Sequence, residues 1–124
     1  MFDNLGRKGF KVAVVGDLIL DRYMWGDCSR VSSEAPVQIV DINKNSYVLG
    51  GCGNVAANLA SFGVQVYLYS VIGNDRTGEL IKDLLKKKSI DESNIIVDKK
   101  RKSSEKTRVI ASSQQVIRFD VEER

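Results

Sequence analysis

The sequence predicts an α/β fold, on three observations. A short β-branched run, Phe10–Gly16 (FKVAVVG), ends in glycine, as buried parallel strands do. Two helix-period segments, Asn54–Phe62 and Arg76–Lys88, alternate with further apolar runs at Val64–Val71 and Ile95–Val97. Glycine or a helix cap punctuates each junction. With 124 residues, 43% of them hydrophobic and 28% charged, the chain has the composition of a small globular unit rather than a disordered one.

Taken in order, Phe10–Gly16 is the first strand. Asp17–Tyr23 (DLILDRY) follows at its carboxyl end, where open α/β sheets place ligands. Met24–Ser33 reads as a turn-rich stretch because Gly26, Asp27, Ser29, Ser32 and Ser33 crowd it. Val37–Ile42 alternates apolar and polar residues, the pattern of a half-covered strand. Tyr47–Leu49 is expected to pair back on it across Asn43–Ser46, making an inserted hairpin or flap. Gly50–Gly53 leads into the helix Asn54–Phe62. Val55, Leu59 and Phe62 are its expected apolar stripe, and Gly63 is its stop. Asp75 is placed to cap the helix Arg76–Lys88, whose stripe is Leu80, Ile81, Leu84 and Leu85. After the basic stretch Lys99–Lys102, Lys106–Ala111 and Gln115–Val121 read as antiparallel strands joined at Ser112–Gln114.

Composition excludes several classes of function. The chain has no histidine, so it can build neither a histidine triad nor a histidine-ligated metal site. Two cysteines, Cys28 and Cys52, are too few for a disulfide framework. No apolar run is long enough for a membrane-spanning helix. Met1–Phe10 has no apolar leader, so a cytoplasmic location is expected. The net charge of +3 is concentrated in Lys86–Lys88 and Lys99–Lys102. Neither run is interleaved with aromatics as a nucleic-acid surface would be.

Three stretches can carry chemistry. Gly50–Gly51–Cys52–Gly53–Asn54 lets backbone N–H groups approach a ligand, or serves as a tight strand-to-helix turn. It is neither a P-loop nor a dinucleotide fingerprint. Asp17 and Asp21 flank an apolar turn after the first strand. A carboxylate there suits paired sugar hydroxyls, or it caps a turn and pairs with Arg22 or Arg30. Lys106 and Arg108 share one sheet face, as do Arg118 and Asp120. They form an anion site or a cross-strand ion-pair ladder.

Together these motifs resemble the ribokinase/PfkB family of carbohydrate kinases. Gly50, Gly51, Asn54, Ala56, Gly63 and Gly73 fall at the places of that family's first signature, with Cys52 where a smaller residue is usual. Gly73–Gly78 (GNDRTG) resembles its Gly-x-Asp-x-x-Gly turn. Within the family, the runs VVGDLILDRY, CSRVSSEAPV and QQVIRFD are most similar to kinases of D-glycero-D-manno-heptose 7-phosphate, with Ser33 where proline is usual.

The resemblance implies a partial kinase domain over residues 1–124, part of a three-layer fold. A β-lid is expected at about 37–49 and 105–121. The implied substrate-binding residues are Asp17, Asp21, Gly50, Gly51, Asn54, Lys106, Arg108 and Gln115. The implied reaction moves the ATP γ-phosphate, with Mg²⁺, to O1 of the heptose in ADP-heptose and lipopolysaccharide-core synthesis. A homodimer through the lid is also implied. The family's second signature, Gly-Ala-Gly-Asp with the catalytic base, is not in the sequence, and Gly78 is the last glycine. No catalytic residue is therefore expected in this chain, and it is expected to be inactive alone. The alternatives are the same portion of another PfkB-type sugar or nucleoside kinase, or a non-catalytic sugar-binding or dimerisation module.

Overall fold

The structure is a computed structural model and describes residues 9–123. Most of Met1–Phe10, the segment expected to hold no apolar leader, lies outside the described residues. The chain runs β1 (Lys11–Val15), β2 (Leu18–Val31), β3 (Gln38–Gly51), α1 (Cys52–Ser61), β4 (Gln65–Gly73), α2 (Arg76–Lys87), β5 (Ile95–Asp98), β6 (Ser104–Ala111) and β7 (Gln114–Val121). Two sheets result. β1, β4 and β5 form a parallel sheet in the order β1-β4-β5. The second has the order β3-β2-β6-β7, with β2 antiparallel to β3 and parallel to β6, and β7 antiparallel to β6.

The core lies where α1 and α2 meet the parallel sheet and the base of the second sheet. Leu20, Leu68, Ile72, Ile81 and Leu85 are fully buried there. Each such side chain contributes about 1.5–3 kcal/mol relative to exposure. Val14, Val66 and Leu68 face the helices. On the opposite face Val15 and Ile96 are exposed at 78% and 64%, so the first strand is buried on one side only.

Helix α1 begins at Cys52, two residues before the expected start, and it turns a different face inward. Cys52, Gly53 and Ala56 are buried, while Val55 and Phe62 are exposed. Of the expected Val55–Leu59–Phe62 stripe only Leu59 packs against the core; the buried face is otherwise made of small residues. A Cβ on Gly53 would lie 2.9 Å from Leu18 Cδ2 and 3.2 Å from Leu49 Cβ, which shows how closely the helix lies on β2 and β3. Gly63 does terminate the helix, at φ +80°. Helix α2 follows expectation: Asp75 accepts a capping hydrogen bond from Gly78 N–H at 2.8 Å, and Ile81 and Leu85 are buried.

The largest corrections fall on the second sheet. Met24–Ser33 is not a turn region, because β2 continues to Val31. Nor is Val37–Leu49 a hairpin, because β3 is one continuous strand paired along its length with β2. Irregularities in the register absorb the polar residues. Trp25 faces Lys44 and Gly26 faces Ile42, which leaves Asn43 as an extra residue in a bulge. Gly26 is required at that point, since a Cβ would collide with the Asp41 carbonyl oxygen at 2.1 Å. At the same end of the sheet, just past Ala111, which pairs with Gly26, Ser112 and Ser113 both take positive φ, 52° and 64°, the conformation of a two-residue hairpin turn.

Candidate functional site

Because β2 is a strand, its side chains alternate. Leu18, Leu20 and Arg22 face one way; Ile19, Asp21, Tyr23 and Trp25 face the other. Cross-strand register carries the second set across the sheet. Asp21 stands opposite Val48 on β3 and Lys106 on β6, and Tyr23 stands opposite Ser46 and Arg108. On β7, Asp120 and Arg118 face Lys106 and Arg108. One sheet face thus gathers Asp21, Tyr23, Lys106, Arg108, Arg118 and Asp120.

At the base of this face, where β3 turns into α1, lies a concavity of about 260 Å³. It is lined by Asp21, Tyr23, Val48, Leu49, Gly50, Gly51 and Asn54. Four of the expected site residues, Asp21, Gly50, Gly51 and Asn54, are brought together there from a strand, a junction and a helix. Arg108 Nη1 donates to Asp21 Oδ1 at 2.9 Å, and its guanidinium lies 5.4 Å from the Tyr23 ring centre. Asp21 therefore pairs with neither Arg22 nor Arg30. Arg22 turns to Tyr47 and Glu105, and Arg30 to Asp41 at 3.3 Å. The hydrogen bond to Asp21 holds the Arg108 guanidinium above its ordinary value, outweighing the opposing effect of its partial desolvation. It is a permanent cation.

The second oxygen of Asp21 faces Gly50. A Cβ on Gly50 would lie 2.3 Å from Oδ2, so the glycine is what leaves room for the carboxylate. Gly51 has a different role. Its φ is +58°, and a Cβ there would lie 2.3 Å from the Asp17 carbonyl oxygen, which accepts the Cys52 N–H at 2.9 Å. Gly51 makes the turn into α1, and Gly50 makes space for the site.

The remaining expected residues are spread wider. Asp17 lines a separate hollow of about 420 Å³ with Gly16, Tyr69, Ser70 and Arg101, on the uncovered side of the parallel sheet. Lys106 lies on the same sheet face as Asp21, directly across from it. Gln115 lies at the outer end of the sheet, opposite Ile110, and is exposed. The Arg118–Asp120 ion pair, at 3.1 Å, runs along β7 rather than across strands.

Two aromatics escaped the sequence reading. Tyr23 and Trp25 stack at 5.8 Å along the site face, with Lys44 Nζ 4.8 Å from the Trp25 ring centre. Their spacing, two and four residues after Asp21, was the available signal, and it was broken by placing Trp25 in a turn-rich stretch. Cys28 and Cys52 are free, and burial pushes the Cys52 thiol up, away from the nucleophilic thiolate. Among the described residues no three histidine, cysteine or carboxylate side chains gather as a metal site. No helix among them is long and apolar enough to cross a membrane.

The chain is similar to the bifunctional protein HldE of Aliarcobacter butzleri, at 52% identity over 111 residues. That match covers 90% of this chain and 23% of the relative. With HldE of Geobacter sulfurreducens it shares 47% identity over 111 residues, covering 90% and 23%. The chain spans about a quarter of the length of these curated relatives. By fold it is similar to a carbohydrate kinase from Agrobacterium tumefaciens, with TM-score 0.72 and 19% identity, over 90% of this chain and 35% of that one. A ribokinase from Arabidopsis thaliana complexed with ribose and ATP matches at TM-score 0.69 and 16% identity, over 93% and 36%. These likenesses identify the architecture as part of a ribokinase-like fold. Residues 10–123 match the model of the pfkB family carbohydrate kinases, and the chain belongs to that family.

Proposed function

We propose that this chain is the sugar-binding portion of a kinase that transfers the ATP γ-phosphate to O1 of D-glycero-D-manno-heptose 7-phosphate, for ADP-heptose and lipopolysaccharide-core synthesis. The observation that carries the reading is Asp21 at the concavity of Gly50, Gly51 and Asn54, with one carboxylate oxygen anchored by Arg108 and the other turned toward Gly50. An ionised carboxylate accepts hydrogen bonds from vicinal hydroxyls. The uncluttered Gly50–Gly51 backbone allows close approach, and the Asn54 amide supplies both a donor and an acceptor.

Lys106 and Arg108 lie on the same sheet face, two residues apart on β6. They supply the positive charge for the 7-phosphate, a role in which guanidinium binds oxyanions bidentately. In this reading the four-stranded sheet is the lid over the sugar and the surface of a homodimer. A sheet that covers the sugar orients its hydroxyls and excludes water, and in phosphoryl transfer positioning and charge stabilisation are the bulk of catalysis.

ATP would supply the phosphoryl group and Mg²⁺ would neutralise its charge. The described residues do not fit those two groups. No carboxylates are gathered for the ion, and no glycine-rich anion hole follows Gly78. The steps assigned to this chain are therefore binding and orientation of the sugar.

Calorimetric titration of the purified chain tests the reading. Heptose 7-phosphate is expected to bind more tightly than ribose or fructose 6-phosphate, and Asp21→Ala to abolish the difference. Equal affinity for all three, or an unaffected Asp21→Ala variant, would refute it. No ATP turnover is expected from the chain alone; measurable turnover would overturn the division of labour.

A further inference from the structure

The back of the four-stranded sheet carries a polar path that sugar binding does not use directly. Immediately behind Asp21, Arg22 stands opposite Tyr47 on β3 and Thr107 on β6. Arg22 Nη2 donates to Tyr47 Oη at 2.8 Å, and the guanidinium lies 5.1 Å from that ring centre. Arg22 Nη1 approaches Glu105 Oε1 at 3.6 Å. Glu105 accepts from Thr107 Oγ1 at 3.4 Å and, through its other oxygen, from Thr77 Oγ1 at 3.0 Å. Thr77 belongs to the first turn of α2, where a carboxylate is also favoured by the helix dipole. A continuous side-chain path therefore joins the N-terminal turn of α2 to β6, β2 and β3.

The path is under-used as it stands. The Arg22 and Glu105 side chains are only 30% and 17% exposed, and Arg22 Nε is buried with no hydrogen-bond partner. A buried donor left unpaired costs about 1–3 kcal/mol. A guanidinium and a carboxylate are best satisfied by two parallel hydrogen bonds, whereas this pair has a single 3.6 Å approach. A small shift of β2 relative to β6 would close that gap. Asp21, the next residue along β2, would move with it.

We infer that Arg22, Glu105 and Thr77 are positioning residues: by tying β2 to the first turn of α2, they set where Asp21 stands above Gly50, Gly51 and Asn54. None of the three lines the concavity, and they act through Asp21. The inference rests on the sugar-binding reading for its effect on affinity. It does not rest on that reading for its effect on the sheet.

The test uses the whole chain and the variants Thr77→Val, Thr77→Ser, Arg22→Gln and Thr77→Val with Arg22→Gln. Each is titrated with heptose 7-phosphate, and amide hydrogen exchange is followed without ligand. Thr77→Val and Arg22→Gln are each expected to weaken binding about five- to tenfold, the worth of one lost polar contact. Thr77→Ser, which keeps the hydroxyl, is expected to restore affinity to within about twofold. The double variant is expected to be no weaker than the poorer single one, because both break the same path. Exchange in β2 and β6 is expected to rise in the Val and Gln variants while β1 and β4 keep theirs. Unchanged affinity with unchanged exchange overturns the inference. So do multiplying losses in the double variant, or failure of Thr77→Ser to rescue. If the unaltered chain and Asp21→Ala bind the sugar equally poorly, the sugar reading falls and the exchange experiment decides alone: a rise in β2 and β6 upholds the tie, and no change overturns it.

Discussion

Gly50 and Gly51 are adjacent, yet alanine at the two positions is expected to do opposite things. At Gly50 the new Cβ would lie 2.3 Å from Asp21 Oδ2 and 2.9 Å from its Cγ, and no backbone atom is among the three nearest. Gly50 is not among the glycines with positive φ, so alanine meets no conformational penalty there. The carboxylate rotates aside and gives up its pair with Arg108. That pair is partly exposed, at 23% and 21%, and such pairs are worth about 0–1 kcal/mol. Stability is thus expected to change by no more than about 1 kcal/mol. Binding is another matter, because a hydrogen bond to a charged group contributes about 1.5–3 kcal/mol, or about 10- to 150-fold in affinity. Gly51 is the reverse. Its φ of +58° and ψ of −135° are open to glycine but costly for alanine, and the new Cβ would lie 2.3 Å from the Asp17 carbonyl oxygen. That oxygen is backbone and cannot swing away. Strain of this kind costs about 1–3 kcal/mol before the clash is added. Urea denaturation followed by circular dichroism, with calorimetric titration of heptose 7-phosphate, separates the two. Gly50→Ala is expected to fold normally and bind poorly, and Gly51→Ala to lose stability first. A Gly50→Ala variant that binds within twofold of the unaltered chain, or is destabilised as much as Gly51→Ala, would refute the reasoning.

Three more outcomes follow from the same geometry. Burial pushes Asp75 up, but hydrogen bonds from Ser103 and from the Gly78 N–H outweigh it and hold the carboxyl below its ordinary value. A lowered carboxylate stabilises the fold above its unfolded value of about 4 and loses that contribution as pH falls through the folded value. Asp75→Asn keeps an amide oxygen for the Gly78 cap but sets an NH2 against the Ser103 N–H, so it should be less stable at pH 7 by the ~1–3 kcal/mol of an unsatisfied donor, and the gap should narrow below about pH 4 in urea melts. Arg108→Ala should weaken heptose 7-phosphate binding more than Arg108→Lys, which keeps the charge but not the planar fork; equal affinities in the two variants would count against a phosphate role. Ala56→Leu, at a position with no exposure beneath α1, should cost about 1–3 kcal/mol by overpacking, visible as a lower urea midpoint.

The sequence was most legible where local chemistry and tertiary contacts agree. Asp75 was placed as a cap because aspartate before a helix-period run has one obvious use, and it makes that bond. Leu80, Ile81, Leu84 and Leu85 formed a stripe because the pattern repeats with the helix. The second sheet was obscure because its evidence is non-local. Gly26, Asp27 and Ser32 are turn formers by propensity, yet β2 runs through the first two, Gly26 held by both β3 and β6 and Asp27 by β3. Strands with solvent on much of both faces need no clean alternation of apolar residues, so periodicity carried little signal there. Arg108 could not be assigned to Asp21 because the two lie 87 residues apart. Val55 and Phe62 misled for a different reason. In a stripe of small residues the larger apolar ones point outward, and hydrophobicity alone inverts the face.

The site's construction explains why its residues come from unlike elements. Gly50 and Gly51 lie where β3 passes into α1, and Gly51 is held by pairing with Leu18 and by its neighbour Cys52, whose N–H donates to the Asp17 carbonyl. Asn54 rides on α1, whose neighbours Gly53 and Ala56 are buried against that core. These three cannot move without disturbing packing. Asp21 sits on a strand whose partners β3 and β6 extend beyond the core, and its own carboxylate is gripped from β6 rather than from the helices. Asp21 and Arg108 are therefore coupled across β2 and β6, and a displacement of one carries the other. On the proposed sugar-binding reading, the sugar therefore meets a carboxylate already oriented by Arg108. An aspartate on a loop would have to be ordered at each binding event, at a cost in side-chain and backbone entropy that this arrangement meets once, during folding.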